Sequence, residues 1–143
     1  MLSGAMQHDA SHAVWHFQEI IMHTKINWFE IPSIDFIRAT KFYEALFDTT
    51  LTIEQSGPIQ MGLFAEATGG SCGCVVHNED SLPGSIGTVI YLDATPSIDK
   101  VLARIEPAGG RIQMEKMALP NNLGFIAHFI DTEGNRLALH ALA

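Results

Sequence analysis

The sequence predicts an α+β fold in which two βαβββ modules form a curved, open eight-stranded mixed sheet with a concave pocket, plus an N-terminal helix. Three observations lead to this prediction. The spacing of apolar residues changes from helical to alternating near Lys25. From there to residue 77 the segments read strand, helix, strand, strand, strand. The same order starts again after a turn-rich linker at residues 78–87.

Composition limits the classes of protein that this chain can represent. Its 143 residues suit one domain with its own core, and 47% hydrophobic against 17% charged residues is typical of a globular protein. A net charge of −8, without any cluster of Lys or Arg, disfavours a nucleic-acid partner. No apolar run approaches the roughly 20 residues of a membrane helix, so we expect no membrane partner.

The two cysteines, Cys72 and Cys74, are separated by a single residue. Two positions on the same face of one strand are poor geometry for a disulfide, which favours reduced thiols and a cytoplasmic location. The pair is also a weak signal for zinc, because a zinc site needs further ligands at their own spacing.

An N-terminal extension, residues 1–24, precedes the repeated pattern. Ser11 is a candidate N-cap for a short amphipathic helix that ends near His23. This helix could cover the domain, pair with a second subunit, or belong to an extension upstream of an alternative start at Met22. The single predicted domain then comprises residues 25–143.

The first module covers about residues 25–80. Alternating residues from Ile26 to Ile31 indicate a strand, which Pro32 ends. Ser33 or Asp35 then starts a helix. Its apolar stripe consists of Phe36, Ala39, Phe42, Tyr43 and Leu46. Three further strands are predicted at residues 50–55, 59–65 and 73–77.

The second module covers about residues 86–143 and repeats this order. A strand is predicted at residues 88–93, followed by a helix that Pro96 and Ser97 open and Gly109-Gly110 stop. Three more strands are predicted at residues 111–117, 123–130 and 136–142. The polar segment at residues 131–135 is interpreted as a turn without a catalytic role, because Gly134 permits a positive φ there.

Several separated motifs resemble one known family in the same order. The stretch Ile26-Asn27-Trp28-Phe29-Glu30-Ile31-Pro32, with Asp35 and the helix stripe, resembles the opening of vicinal oxygen chelate proteins, the glyoxalase/bleomycin-resistance/dioxygenase group. Asp131-Thr132-Glu133-Gly134-Asn135-Arg136-Leu137 is similar to the turn before their last strand, and Ala103-Arg104 through Gly109-Gly110 is similar to their second helix and its stop. The family includes glyoxalase I, dioxygenases, epimerases, fosfomycin-modifying enzymes and drug-sequestering proteins, so the resemblance implies a fold and leaves the reaction open.

The resemblance also implies where a metal would bind. Enzymes of this family hold a divalent metal with a His in the first strand of each module and a Glu or Gln-type ligand in the last strand. The corresponding positions here are Trp28, Val89 or Ile90, Ala138, and Cys74 or Gly73. Indole and aliphatic groups offer no lone pair to a metal, and a hard divalent ion prefers several oxygen or imidazole ligands. We therefore expect no metal and no other cofactor.

Strand alternation divides the side chains between two faces, and the resemblance implies which face lines the concave pocket. The alternation directs Phe29, Ile31, Leu137 and Leu139 toward the helices and leaves the opposite parity for the pocket. The predicted ligand-binding residues are Trp28, Glu30, Tyr91, Cys74, His128 and His140. Aromatic walls with a few polar groups suit a flat, partly apolar organic molecule.

No catalytic residue can be assigned from the sequence, but three candidates exist. Glu30 with His128 or His140 could form an acid/base pair, because His titrates near neutrality and a half-buried Glu can be raised toward it. The alternative is that Glu30 is a hydrogen-bonded strand carboxylate and both histidines are solvated or end their strands.

The leading functional hypothesis is a protein that binds or sequesters a small organic molecule, or a metal-independent relative of the enzymes, and that works as a homodimer enclosing its pockets between subunits. The second hypothesis is a metal-dependent lyase, isomerase or dioxygenase with an unusual ligand set drawn from Glu30, His128, His140 and Cys74. The third is an interaction module whose N-terminal helix docks on another protein.

Overall fold

The computed structural model describes residues 26–66, 69–70 and 72–143. The predicted N-terminal helix lies outside these residues. The elements of the first module are β1 (Phe29–Pro32), α1 (Phe36–Phe47), β2 (Thr52–Ser56), β3 (Ile59–Leu63) and β4 (Gly73–His77). Those of the second are β5 (Tyr91–Asp93), α2 (Ile98–Ile105), β6 (Arg111–Ala118), β7 (Phe125–Ile130) and β8 (Arg136–Ala141), with a short 3₁₀ turn at Pro120–Asn122. The prediction of two βαβββ modules is confirmed.

The eight strands form two four-stranded mixed sheets. The strand order is β1-β4-β3-β2 in the first sheet and β5-β8-β7-β6 in the second. In each sheet the first strand is parallel to the last strand of its module and the other pairs are antiparallel. No ladder joins the two sheets among the described residues.

Four strands begin later than the sequence pattern predicts. β1 starts at Phe29 instead of Ile26, and β5 starts at Tyr91 instead of Thr88. β2 starts at Thr52 and β7 at Phe125, each two residues later than predicted. In β5 the first paired residue is Tyr91, opposite Ala138, and the backbone N–H of Ala138 donates to the carbonyl of Ile90 just before the strand.

The helix ends follow from local chemistry. The Asp35 carboxylate accepts a hydrogen bond from the backbone N–H of Arg38 and caps the start of α1. Asp48, in the left-handed region, ends it with an N–H that donates to the carbonyl of Glu44. After α2, Gly109 has a φ of +105° and its neighbour Gly110 donates to the carbonyl of Ile105. The two glycines stop this helix, as the sequence predicts.

One continuous core lies on the helix side of both sheets. It includes Ile31 and Val75 from the first sheet and Phe129 and Leu139 from the second. The rings of Phe42 in α1 and Phe129 in β7 have centroids 6.1 Å apart, so the first helix contacts the second module directly. Burial of these large apolar groups is the main source of stability.

A buried turn at residues 131–135 also joins the modules through polar contacts. The carboxylate of Glu133 accepts hydrogen bonds from the backbone of Ile34 and Asp35 and forms an ion pair with Arg38 at 2.8 Å. The side chain of Asn135 donates to the carbonyl of Pro32 at 2.7 Å. Gly134 adopts a φ of +92°, as the turn interpretation requires. These contacts give the polar residues of the turn a structural role.

Candidate ligand site on the second sheet

Each sheet has a helix-free face, opposite the face that packs on the helices. Ile31 is 2% exposed in the core, whereas Trp28, three residues earlier and of the other parity, is 42% exposed. On the second sheet, Tyr91 and His128 both lie opposite Ala138, and Asp93 lies opposite His140 in the next row. The helix-free face of the second sheet therefore carries two adjacent pairs of polar or aromatic residues. The same face also carries Ile126, which lies opposite His140, and Met114, which lies opposite His128.

The first pair consists of Tyr91 and His128. The Tyr91 hydroxyl and Nε2 of His128 lie 3.0 Å apart, and the two rings meet edge to face with centroids 5.5 Å apart. Desolvation, together with the positive charge of Arg136, lowers the pKa of His128 below its ordinary value. The imidazole is therefore neutral at neutral pH, and a neutral ring holds one lone pair that can accept the hydroxyl proton. The pair offers a ligand an aromatic surface with polar edges.

The second pair consists of Asp93 and His140. Nε2 of His140 lies 2.7 Å from the carbonyl oxygen of Leu123. The Asp93 carboxylate accepts hydrogen bonds from the hydroxyl and the backbone N–H of Thr95, and these bonds lower its pKa. Asp93 is therefore ionised at neutral pH.

An open cleft of about 440 Å³ lies beside these pairs. Aliphatic Leu119 and Ile126 and the ring of Tyr91 supply its apolar wall, and Asp93 and His140 supply its polar wall. A concave, mainly apolar surface with a few fixed polar groups is the usual form of a site for a small organic molecule.

The helix-free face of the first sheet holds the other predicted residues. The indole Nε1 of Trp28 donates a long hydrogen bond of 3.4 Å to the Glu30 carboxylate. Cys74 lies opposite Glu30 and is fully buried. Burial, followed by the negative charge of Glu30, raises the pKa of the Cys74 thiol to about 11, so it is protonated at neutral pH.

The structure brings together only some of the predicted site residues. Tyr91 contacts His128, and Trp28 contacts Glu30. The structure shows no hydrogen bond or ion pair, among the residues it describes, from Glu30 to either histidine, and the cleft beside Tyr91 is not lined by Trp28. Acid/base pairing by Glu30 stays a prediction without a contact to support it.

Strand pairing shows which residue of the second module corresponds to Trp28, the position at which the resemblance implies a first metal ligand. The backbone N–H of Ser33 donates to the carbonyl of Val76, and the backbone N–H of Ala94 donates to the carbonyl of His140. Each of these bonds follows the parallel pair of its module, so Ser33 corresponds to Ala94. Trp28 lies five residues before Ser33, and Val89 lies five residues before Ala94, so Val89 and not Ile90 is the counterpart of Trp28. Ile90 packs against the core instead.

The same comparison identifies the fourth position. Cys74 lies opposite Glu30, and Ala138 lies opposite Tyr91, so Cys74 and not Gly73 is the counterpart of Ala138. The four positions thus hold an indole, a valine, a protonated thiol and an alanine, which do not fit a divalent metal.

The unusual ligand set of the second hypothesis is not assembled either. Across residues 26–66, 69–70 and 72–143, no group of three or more His, Cys, Asp or Glu side chains is placed to hold a metal ion. Glu30 and Cys74 lie on the first sheet, and His128 and His140 lie on the second.

The sequence analysis missed three residues that line the cleft, namely Asp93, Leu119 and Ile126. Parity would have found Asp93 and Ile126, because Asp93 is two positions after Tyr91 and Ile126 is two positions before His128. It also missed Arg136, which lies outside this cleft and whose charge acts on His128. Asp93 was assigned only to the end of a strand, and Arg136 to the turn motif and the start of the last strand.

The comparisons with known proteins agree with this architecture. A family model of the Glyoxalase/Bleomycin resistance protein/Dioxygenase superfamily matches residues 25–139. The chain therefore belongs to this superfamily, and the resemblance derived from the motifs is confirmed. A search of curated proteins finds no match.

Solved structures show the same fold at low sequence identity. A glyoxalase I variant from Zea mays matches with a TM-score of 0.60 at 18% identity, covering 80% of this chain and 45% of the maize chain. A fosfomycin resistance protein from Listeria monocytogenes matches with a TM-score of 0.61 at 19% identity, covering 82% and 93%. An antibiotic binding protein from a Streptomyces species matches with a TM-score of 0.60 at 21% identity, covering 82% and 95%. This chain thus spans less than half the length of the maize protein.

Neither α1 nor α2 nor any other helix within the described part of the chain is long and apolar enough to cross a membrane.

Proposed function

We propose that this protein binds a flat, partly apolar organic molecule without a metal, on the helix-free face of the second sheet. The observation that carries the proposal is the cleft in which the Tyr91 ring and two aliphatic side chains face Asp93 and His140. An aromatic ligand can stack on or meet the edge of Tyr91 while its polar atoms reach the carboxylate and the imidazole.

The residues at the family's metal positions support this proposal. An enzyme that chelates its substrate through a metal needs several charged or imidazole donors, and Trp28, Val89, Cys74 and Ala138 provide none at neutral pH. Apolar groups at these positions favour contact with rings and hydrocarbon. Among structural neighbours, the antibiotic binding protein from Streptomyces is an example of this fold with a binding role in its name.

Trp28 is proposed to add a second aromatic surface to the site. Its side chain is 42% exposed and lies on the helix-free face of the first sheet. Half-exposed aromatic residues on both sheets, Trp28 and the 47% exposed Tyr91, are suited to close on a ligand between them or against a second subunit.

We further propose that the protein is a homodimer in which a second copy helps to enclose the site. All five residues of the edge strand β2 are exposed, and Met117 at the opposite edge is 48% exposed. Open sheet edges and exposed apolar groups are commonly covered by a two-fold partner. Light scattering is expected to give twice the 15.7 kDa mass of the chain, and a monomeric mass at micromolar concentration contradicts the proposal.

A reducing, cytoplasmic environment is the setting that we propose. Both thiols are free in the structure, and Cys74 is buried. Burial raises the pKa of each thiol above its ordinary value, so neither is activated for exchange at neutral pH.

The test uses naphthamide, a flat and uncharged aromatic molecule, titrated into the full chain and followed by calorimetry and by tryptophan fluorescence. Tyr91→Ala and Trp28→Ala should each weaken binding by about 1–3 kcal/mol while the protein stays folded. The control is Ile37→Ala, which removes an exposed apolar group, 64% exposed, from α1. Unchanged affinity in Tyr91→Ala, or an equal loss in Ile37→Ala, contradicts the proposed site.

A further inference from the structure

Arg136 lies at the start of β8 on the same face as Ala138 and His140. It lines a second cleft, of about 240 Å³, where the two modules meet. The lining of this cleft also includes Glu30 and the apolar linker residues Leu82 and Ile86. A cation therefore stands in a partly apolar cleft beside the proposed site.

The guanidinium of Arg136 is only weakly satisfied by the described residues. Its Nε is buried without a hydrogen-bond partner among them. Its Nη2 donates to the carbonyl of Gly87 at 3.4 Å, a long contact. The two ion pairs found in the described part of the chain, Arg38 with Glu133 and Lys116 with Asp99, do not include it. A buried donor without an acceptor is costly, which favours binding of an external acceptor.

Arg136 is also close enough to act on the aromatic pair. Ala138, two residues along β8, lies opposite both Tyr91 and His128. After desolvation, the charge of Arg136 is the second cause that lowers the pKa of His128. A molecule that contacts the Tyr91 ring can therefore extend to the guanidinium.

The surrounding charges define what Arg136 can bind. The chain carries a net charge of −8, and Asp93 stands ionised at the far end of the face. Glu30 lines the same cleft, but its described hydrogen bond is with the Trp28 indole and not with Arg136. The guanidinium is thus the one group here, among the described residues, that attracts an anion, whereas the carboxylates of Glu30 and Asp93 repel it. This arrangement fixes the orientation of a ligand that has one anionic end.

We propose that Arg136 binds an oxyanion, a carboxylate or a phosphate, at one end of the aromatic ligand. The inference rests on the proposed function and adds the charge of the ligand to it. The planar guanidinium can present two parallel N–H groups to two oxygens of such an anion, and its Nε is one of these donors.

The experiment compares three probes with the same ring system, namely naphthoate, naphthyl phosphate and neutral naphthamide. The full chain should bind at least one of the two anions roughly tenfold more tightly than naphthamide, because a charge-assisted bond is added. In heteronuclear NMR, the Nε–H signal of Arg136 should shift with the anion and not with naphthamide. Preference for naphthoate alone or for naphthyl phosphate alone identifies the kind of oxyanion.

Two variants and a control complete the test. Arg136→Gln should remove the preference for the anion and leave naphthamide binding within a factor of about two. Arg136→Lys should keep part of the preference, since it retains the charge without the paired donors. Lys100→Gln removes one positive charge from the exposed surface of α2 and should change nothing.

The outcomes separate the two proposals. If naphthamide binds but neither anion is preferred, or if Arg136→Gln keeps the preference, the inference about Arg136 is wrong and the proposed aromatic site stands. If none of the three probes binds the full chain, both are wrong. The shift of the Arg136 Nε–H signal in the wild-type protein tests the inference even where a variant fails to fold.

Discussion

The hydroxyl of Tyr43 donates a 2.7 Å hydrogen bond to the Asp131 carboxylate, and both residues are buried although 88 positions separate them in the chain. The bond joins helix α1 of the first module to the turn before β8 of the second. Tyr43→Phe should lower the free energy of unfolding by about 1–3 kcal/mol, because the carboxylate loses one of its buried donors. Urea denaturation measures the change.

The matched control for this substitution is Tyr91→Phe. It removes the same atom from a tyrosine that is half exposed, where water replaces the lost partner. Equal unfolding midpoints for wild type and Tyr43→Phe would show that the buried hydroxyl contributes nothing.

A second prediction concerns the pH dependence of stability through Glu133. Burial raises the pKa of this carboxyl, but the hydrogen bonds from Arg38, from the backbone of Asp35 and from Thr132 outweigh it, and the pKa lies below the ordinary value of 4.5. A carboxyl whose pKa is lower in the folded state stabilises the protein above its unfolded pKa, and this stability is lost as the pH falls through the folded pKa. The free energy of unfolding should therefore fall below about pH 4.5.

The variant Glu133→Gln tests this assignment. It should be less stable than wild type at neutral pH and should lose less stability on acidification, because the titrating group is gone. Glu54→Gln on the exposed strand β2 is the control and should follow the wild-type curve. A wild-type slope in Glu133→Gln would assign the acid sensitivity to other carboxyls.

Much of the fold could be predicted from the sequence because local patterns encode it. The alternation in β1 and β8 placed Ile31 and Leu139 in the core, and the glycines after α2 ended that helix. The ion pair of Arg38 with Glu133 was missed, since 95 positions separate the two residues and no local pattern reports a contact across such a distance. Only the packing of α1 against the second module brings them together.

The site was predicted less completely, and spacing explains why. Four positions separate Ile31 from the helix cap Asp35, whereas five separate the equivalent Leu92 from Ser97. This extra residue left the counterpart of Trp28 undecided between Val89 and Ile90 until backbone pairing resolved it. Arg136 was missed because its position between the turn motif and the last strand carries no local signal of a binding role.

A third prediction concerns the titration of His128. Desolvation, then the charge of Arg136, lowers its pKa, so the NMR titration midpoint should lie below the ordinary value of 6.5. Arg136→Gln should raise the midpoint by removing one of the two causes. Lys100 is not among these causes, so Lys100→Gln should leave the titration midpoint unchanged. A midpoint at or above 6.5 in the wild type, or no movement in Arg136→Gln, contradicts the placement of the guanidinium beside this histidine.

The last prediction concerns the register of the metal positions. Wild-type protein should carry less than about one tenth of an equivalent of Zn, Ni, Mn or Fe, because the four positions lack divalent donors. The triple variant Trp28→His, Val89→His, Ala138→Glu restores two imidazoles and a carboxylate and should retain close to one equivalent of Zn or Ni after dialysis.

The control variant carries Ile90→His in place of Val89→His and keeps the other two substitutions. Ile90 packs against the core, so its imidazole would point away from the helix-free face and metal retention should stay near the wild-type level. If the control variant retains as much metal as the triple variant, Val89 is not the counterpart of Trp28 and the face assignments that follow from that register are wrong. If the wild-type chain itself carries one equivalent of metal, the protein uses a ligand set other than these four positions, and the proposal of metal-independent binding fails.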